Sequence, residues 1–573
     1  MRSDLRSPGW VTVGTATVRG RAFADGRLLD AGGIAARFDD VVTDGSSLRT
    51  ITAVASELEG FFAAVVDTGS AVYLVADRAR TIPLYHAAEG GLVSDRGRVV
   101  RNAVGGETDP VAESEFLLTR YVTGSDTIWA GVASVRPGEV VALDGGEIRR
   151  RRYWEYWPGT DGGANDKDPR RTLREGFETA LDRLERVAGD RPVVVPLSGG
   201  YDSRLIAAGL VSRDREVVGF TFGRSGHPDV ELSREVADRL GVRWEFVPYS
   251  AADWRERYRS DACRRYRRNA FGGDALPFLA EWPAVHRLLE EERVPADALF
   301  CPGHTVATPS ERLPAFVGEV DDSTKSGCLP GDRTDTPIEP TMDALLEYVL
   351  DRHYNLWGWN DPAFADAARG RIERGLLGDR PADVIDSPTT AAAAYERWEW
   401  EGRMTTFTNG DLRVYEDAGV EWWLPLWDPA YVRAWSQLPL DARRGKRAHA
   451  ALAAEYYRLV SDVPPERAEL TDRELSPLDR HLSLVRHTPT QQFNERDGQW
   501  DPPFLAPRSR WHSPGSHPLD WDGMVSSGIL DAVPESCDLY ALRTLEATGR
   551  LDLADPDGDV PEDGTITLPT EEG

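Results

Sequence analysis

Val193-Val194-Val195-Pro196-Leu197-Ser198-Gly199-Gly200-Tyr201-Asp202-Ser203 decides the reading of this 573-residue chain. An apolar run that stops at a glycine pair reads as a buried strand ending in a tight turn. Leu205-Ile206-Ala207-Ala208-Gly209-Leu210 reads as the helix that follows. At the carboxyl end of a parallel strand, Gly199 and Gly200 let the backbone approach a phosphate closely. The helix then turns its unpaired N–H groups and positive dipole end toward the anion. Ser198 and Ser203 add hydroxyl donors. Asp202 carries the phosphate's own sign, so it fits there only with a divalent cation between, as Mg²⁺ sites arrange. No Gly-Lys-Ser/Thr follows, so this is not the lysine-bearing phosphate loop.

Outward from this loop, strands alternate with helices. Leu173, Phe177, Ala180, Leu181 and Leu184 recur at helical spacing upstream. Downstream, Val217-Val218-Gly219-Phe220-Thr221-Phe222 reads as a strand, Val230 to Leu240 as a helix, and Trp244-Glu245-Phe246-Val247 as a strand. That alternation predicts a doubly wound parallel sheet. Ala298-Leu299-Phe300 predicts another strand, ending at Cys301-Pro302-Gly303-His304-Thr305, where such sheets gather their ligands. Gly303 would let the backbone approach a nucleotide. Beyond about residue 340 the pattern is largely helical.

Residues 1–155 have a different texture. Val11-Thr12-Val13, Phe61 to Val66, Ala71 to Val75 and Val140 to Leu143 are short β-type runs between glycine turns, which predicts a β-rich domain. Residues 156–170 include the Gly-rich run Pro158 to Asp166 and read as a linker. Residues 171–475 form the α/β domain with its helical part, and 476–573 a C-terminal extension with an acidic tail.

A net charge of -28 repels phosphodiester backbones and anionic lipid, so neither nucleic acid nor membrane is the expected partner. Lys167, Lys325 and Lys446 are the only lysines, a Lys-poor acidic composition that suggests adaptation to high salt. Cys263, Cys301, Cys328 and Cys537 show no metal spacing, no apolar run nears the ~20 residues of a membrane span, and no signal pattern opens the chain. These features predict a cytoplasmic protein.

Ser198 to Ser203 resembles the pyrophosphate-binding loop of the ATP pyrophosphatase superfamily, and the surrounding chain narrows the resemblance to class B asparagine synthetases and their β-lactam synthetase relatives. Glu59-Gly60-Phe61-Phe62-Ala63, Asp77-Arg78 and Ile82-Pro83-Leu84-Tyr85 look like strands of that family's glutaminase domain. Thr127 to Val132, Arg136-Pro137-Gly138-Glu139 and Tyr153-Trp154 are similar to its closing segment. Thr221-Phe222-Gly223 resembles the segment lining the adenine pocket, and Val420-Glu421-Trp422-Trp423-Leu424-Pro425-Leu426-Trp427-Asp428 an acidic segment of the synthetase domain. The Lys446 region looks like the lysine-bearing stretch that follows it.

The resemblance implies an Ntn-hydrolase-like sandwich joined to a PP-loop domain, ATP and Mg²⁺ as cofactors, and a homodimer. It implies adenylation of a small-molecule carboxylate, followed by attack of ammonia or an amine. Ser198, Gly199, Gly200, Asp202, Ser203, Thr221, Phe222 and Gly303 would bind nucleotide, with Asp202 also on the metal. Lys446 would stabilise the charge that develops at the α-phosphate. Glu421 would orient the amine or take its proton, its pKa raised by burial beside Trp422 and Trp423.

Two departures qualify this. Glutamine hydrolysis in the family uses a cysteine exposed by removal of the initiator Met, but residue 2 is Arg2 and no cysteine precedes Cys263. The first domain is therefore expected to lack glutaminase activity. The family's second metal segment carries an aspartate, whereas here Gly303-His304-Thr305-Val306-Ala307-Thr308 has no acid before Glu311. Either Glu311 substitutes, or the metal site is weakened, or the protein is a nucleotide-binding scaffold. A tRNA-modifying PP-loop enzyme is disfavoured by the acidic charge and the lack of paired cysteines.

Overall fold

A computed structural model describes residues 2–42, 47–89, 91–159, 168–223, 225, 228–318, 337–354 and 362–461. The expected extension 476–573, most of the Gly-rich stretch, and Lys167, Lys325, Cys328 and Cys537 lie outside the described residues.

The first 152 residues build two β-sheets. One has seven strands, ordered Glu147–Arg152, Glu139–Asp144, Val72–Ala76, Glu59–Asp67, Ala16–Ala24, Val11–Val13, with Arg27–Leu29 also paired to Ala16–Ala24. All its pairings are antiparallel. The other has four strands, ordered Arg2–Ser3, Leu92–Ser94, Tyr85–Ala87, Val132–Ser134. Period-two alternation sorts Glu59–Asp67 between two cores. Phe62, Ala64 and Val66 face Ile34, Phe38 and Ile51 of helices Ala31–Asp39 and Leu48–Glu57. Ala63 and Val65 join Leu84, Val93 and Val135 between the sheets. Burial on both faces explains why this strand reads as one continuous apolar run.

The second part is a five-stranded, wholly parallel sheet, ordered Arg243–Pro248, Val217–Gly223, Val193–Pro196, Leu299–Phe300, Glu421–Trp422. The chain steps outward from Val193–Pro196 to one edge, then returns to add Leu299–Phe300 on the other side. Strand order thus reverses between Val193–Pro196 and Leu299–Phe300, which opens a crevice beyond their carboxyl ends. Helix Pro169–Ala188 packs onto helix Tyr201–Val211 at Gly209, where a Cβ would lie 2.9 Å from Phe177 Cζ. Mixed α/β architecture with a parallel sheet is therefore as expected.

The two parts dock tightly. Phe61 packs 4.6 Å, ring to ring, from Trp423, and Arg183 pairs with both Glu59 and Asp428. The expected linker begins as packed chain. Tyr156 lies 5.2 Å from the Trp400 ring, Gly159 N donates to Ser436 O at 2.7 Å, and helix Pro169–Ala188 already starts inside the 156–170 window. No described helix is long and apolar enough to cross a membrane. Cys263 and Cys301 are buried free thiols.

Candidate functional site

Leu197 leaves the central strand with its carbonyl held by Thr221 Oγ1 at 2.7 Å and Ser233 Oγ at 2.9 Å, which aims the next residues into the crevice. Ser198 N donates to Ser203 Oγ at 3.0 Å, the two hydroxyls lie 3.0 Å apart, and Gly200 N donates to Ser198 Oγ at 3.2 Å. The loop folds back on the first turn of helix Tyr201–Val211. Gly200 is the N-cap and no side chain caps that helix, so its first N–H groups are placed for an anion.

From across the crevice, Gly303 closes on the same turn. A Cβ there would lie 3.1 Å from Ser203 N and 3.4 Å from Asp202 Cβ. A side chain there would press on the loop, so glycine eases this approach.

Asp202 is the hub. Lys446 Nζ lies 3.2 Å from its Oδ2 and 3.0 Å from Glu311 Oε2, so one ammonium bridges two carboxylates. Burial pushes the Asp202 carboxyl up, but Lys446 and His449 outweigh it and hold the group well below the usual carboxylate range. Burial lowers Lys446 less than Asp202 and Glu311 raise it, so it stays charged. Gly445 and Lys446 both adopt left-handed backbone, φ 60° and 57°, immediately before helix Arg447–Val460. For lysine that conformation costs of order 1 kcal/mol, and it turns the side chain into the crevice.

Residues 172–281 match the family model for asparagine synthase. The chain carries a domain of the class B asparagine synthetase-like family. Over 130 residues it is 32% identical to a glutamine-hydrolysing asparagine synthetase of Arabidopsis thaliana, covering 21% of this chain and 22% of that one. Over 196 residues it is 32% identical to the carboxyethyl-arginine β-lactam synthase of Streptomyces clavuligerus, covering 32% and 35%. A tRNA-specific 2-thiouridylase of Synechococcus is 34% identical over 95 residues, 16% of this chain and 24% of that protein. The alignments span between about a fifth and about a third of these relatives.

Ser198, Gly199, Gly200, Asp202 and Ser203, inside the matched stretch, converge at the crevice with Gly303 and Lys446, which lie beyond it. Thr221 and Phe222 sit on the neighbouring strand. The Thr221 hydroxyl is committed to Leu197 O and to Trp244 Nε1, which donates at 3.1 Å, and Phe222 stacks on Tyr249 at 5.4 Å.

Glu421 is not brought to the crevice. It stands at the strand register of Leu299 and Val193, on the amino side of the sheet, opposite the loop. Arg21 grips both its oxygens at 2.9 and 2.8 Å, and Arg191 donates at 2.6 Å. Burial raises its carboxyl, but the two guanidiniums win and leave it lowered. The expected upward shift beside Trp422 and Trp423 is therefore corrected: the tryptophans turn into the core while Glu421 meets arginine.

Several site residues escaped the sequence reading. His449 is fully buried, with Nδ1 2.7 Å from Tyr431 Oη and Nε2 2.7 Å from Asp202 Oδ1, in contact but out of hydrogen-bond alignment. Arg204 lies between Tyr201 and Tyr457 and donates to Gly199 O at 2.6 Å, fixing the loop from below. His304, which the sequence placed at a strand end among candidate ligands, pairs instead through Nε2 with Asp411 Oδ2 at 2.6 Å. His449 lies in the first turn of the helix that begins just after Lys446, and that closeness along the chain was the available signal.

For Mg²⁺, Asp202 and Glu311 offer the hard oxygens it prefers, and Asp202 Oδ1 accepts no hydrogen bond. That donor chemistry fits. Among the described residues no three metal-ligating side chains form a cluster.

Proposed function

We propose that the protein is an ATP-dependent amide-forming ligase that releases AMP and pyrophosphate. The carrying observation is Lys446, bridged between Asp202 and Glu311 at the mouth of an uncapped helix at the sheet's switch point. In this reading, ATP lays its β- and γ-phosphates against Ser198, Ser203 and the N–H groups of helix Tyr201–Val211. A substrate carboxylate oxygen attacks the α-phosphorus, the α–β phosphoanhydride bond breaks, and pyrophosphate leaves with the electron pair. A nitrogen nucleophile then attacks the acyl carbon, AMP departs, and the amine proton passes to solvent or a base.

Lys446 faces the charge that builds at the α-phosphate and the tetrahedral oxygens, and its buried ammonium acts there with little solvent screening. Arg204 keeps the Gly199 carbonyl turned away from the anion. Asp202 and Glu311 would hold a magnesium ion, which when bound supplies neutralisation of the departing pyrophosphate. Glu421 takes no part, and no base for the amine is assigned.

The first 155 residues, read as an Ntn-type sandwich without a cysteine, serve as scaffold and do not release ammonia from glutamine. The test is pyrophosphate release from purified full-length protein given ATP, Mg²⁺ and carboxylate–amine pairs, with Asp202→Ala as control. Turnover that vanishes in the control supports the ligase. The missing acid at 305–308 favours a second reading, a nucleotide-binding scaffold, which would bind ATP yet yield no pyrophosphate with any pair. Glutamine alone should yield no glutamate above background.

A further inference from the structure

The net charge of -28 is not spread evenly, and one face of the molecule carries the opposite sign. Helix Gly97–Val104 contains no acid and sets Arg98 and Arg101 three residues apart on one side. Helix Asp261–Ala270 does the same with Arg265 and Arg268. The first helix starts flush against the chain that leaves the second, since a Cβ on Gly97 would lie 2.0 Å from Gly272 O. Arg96 NH1 donates to Asn269 O at 2.9 Å across the same junction. Among the described residues, Arg96, Arg98, Arg101, Arg265 and Arg268 make no ion pair. Burial, Arg101 and Arg268 together push the Arg98 guanidinium below its ordinary pKa, so these cations crowd one another.

Elsewhere the chain surrounds its arginines with acid, as where Arg213 meets Glu178, Asp182 and Glu185. Here the adjoining carboxylates are engaged. Asp261 holds Arg264 at 2.6 Å, and Asp95 accepts from Arg6 N, Ser7 N and Trp10 Nε1. A face of unmatched guanidiniums favours an anion whose oxygens they can grip in pairs. A long polyanion would run on into the acidic remainder of the surface, so a short one fits best. Among the described residues no aromatic side chain is exposed for bases to stack on. Val104, 39% exposed at the end of the first helix, offers an apolar contact instead. The chain itself contains a segment of matching chemistry. Between Leu551 and Asp563, the acids Asp552, Asp555, Asp557, Asp559, Glu562 and Asp563 alternate with Leu553 and Val560, and nothing basic follows Arg550.

We propose that the arginine face of helices Gly97–Val104 and Asp261–Ala270 is a docking surface for the acidic segment 551–563 of the same chain. The inference stands apart from the ligase reading and uses none of the crevice residues. The stretch between Ser461 and Leu551 is long enough to bring that segment to any face of the molecule. Tethering makes the encounter intramolecular, so ion pairs that are weak one by one suffice to hold it.

The test compares wild type with a full-length amide variant that combines Asp552→Asn, Asp555→Asn, Asp557→Asn, Asp559→Asn, Glu562→Gln and Asp563→Asn. At low salt, phenylglyoxal should modify Arg98 and Arg268 severalfold more slowly in wild type than in the amide variant. Arg149, an exposed arginine on the first sheet, should react alike in both. A synthetic peptide of residues 551–563 should bind the amide variant and restore the slow rate. Its affinity for wild type should be at least about tenfold weaker, because the tethered segment already occupies the face. Adding Arg98→Gln and Arg268→Gln to the amide variant should weaken the peptide by about tenfold or more. Raising salt from about 0.1 M to about 1 M should weaken it too, as the screening length falls from ~10 to ~3 Å. Equal modification rates in wild type and the amide variant overturn the proposal, as does peptide binding indifferent to Arg98 and Arg268. A random-sequence RNA that binds both proteins equally through these arginines would also overturn it and assign the face to an external polyanion.

Discussion

Lys446 Nζ lies 3.2 Å from Asp202 Oδ2, although the two residues are 244 positions apart. Opposite charges meet half-buried at the head of a helix that favours anions, so the pair is poised to part when a phosphate and a cation arrive. Lys446→Met should lower pyrophosphate release at least about a hundredfold while ATP still binds, because the ammonium acts on the developing charge. Lys446→Arg should recover little, since a forked guanidinium does not replace a point charge. Single-turnover pyrophosphate release alongside equilibrium ATP binding checks both.

Gly303→Ala tests the approach of the two crevice walls. The added methyl would meet Ser203 N at 3.1 Å, so the phosphate loop must yield by a few tenths of an ångström. The expected outcome is an ATP affinity about tenfold weaker, with a loss of stability of about 1–3 kcal/mol. Isothermal titration with ATP and a urea melt separate the two effects.

Glu421→Gln should leave pyrophosphate release within about threefold of wild type. Its carboxylate is spoken for by Arg21 and Arg191 on the far side of the sheet, where half-exposed pairs contribute ~0–1 kcal/mol. A loss of activity of a hundredfold at unchanged stability would return Glu421 to the chemistry.

Acid should unfold the first domain partly through Glu139. Burial opposes its ionisation, but Arg136 and Arg150 bring its pKa down to about 2 from 4.5. A depressed pKa contributes stability that is full above the unfolded value and is lost as pH falls toward 2. At about 1.4 kcal/mol per unit, this is about 3 kcal/mol at neutral pH. Glu139→Gln should therefore destabilise the protein at pH 7, and its denaturation midpoint should converge on wild type between pH 4.5 and 2.

The strand, the glycine loop and the helix after it were legible because each rests on local chemistry: an apolar run, an absent Cβ, an amphipathic period. Gly303 and Lys446 were reachable for a related reason, since one follows a strand end and the other is a rare residue type in this chain. Glu421 was misplaced because sequence gives a residue's neighbours along the chain and not which end of the sheet it occupies. Arg21, its main partner, lies 400 residues away. His449, Arg204 and Tyr431 were missed because each acts across helix packing that no single segment encodes.

The docking of the two halves carries a consequence for how such a chain can change over generations. Arg183 is neutralised jointly by Glu59 from the first half and Asp428 from the second, and Arg21 reaches Glu421 in the same way. A gene that discarded the first 155 codons would strip these partners and bare the Phe61–Trp423 seam, leaving charges and rings without cover. Whatever chemistry that half performs, its loss is thereby made expensive, and the two halves are inherited as one.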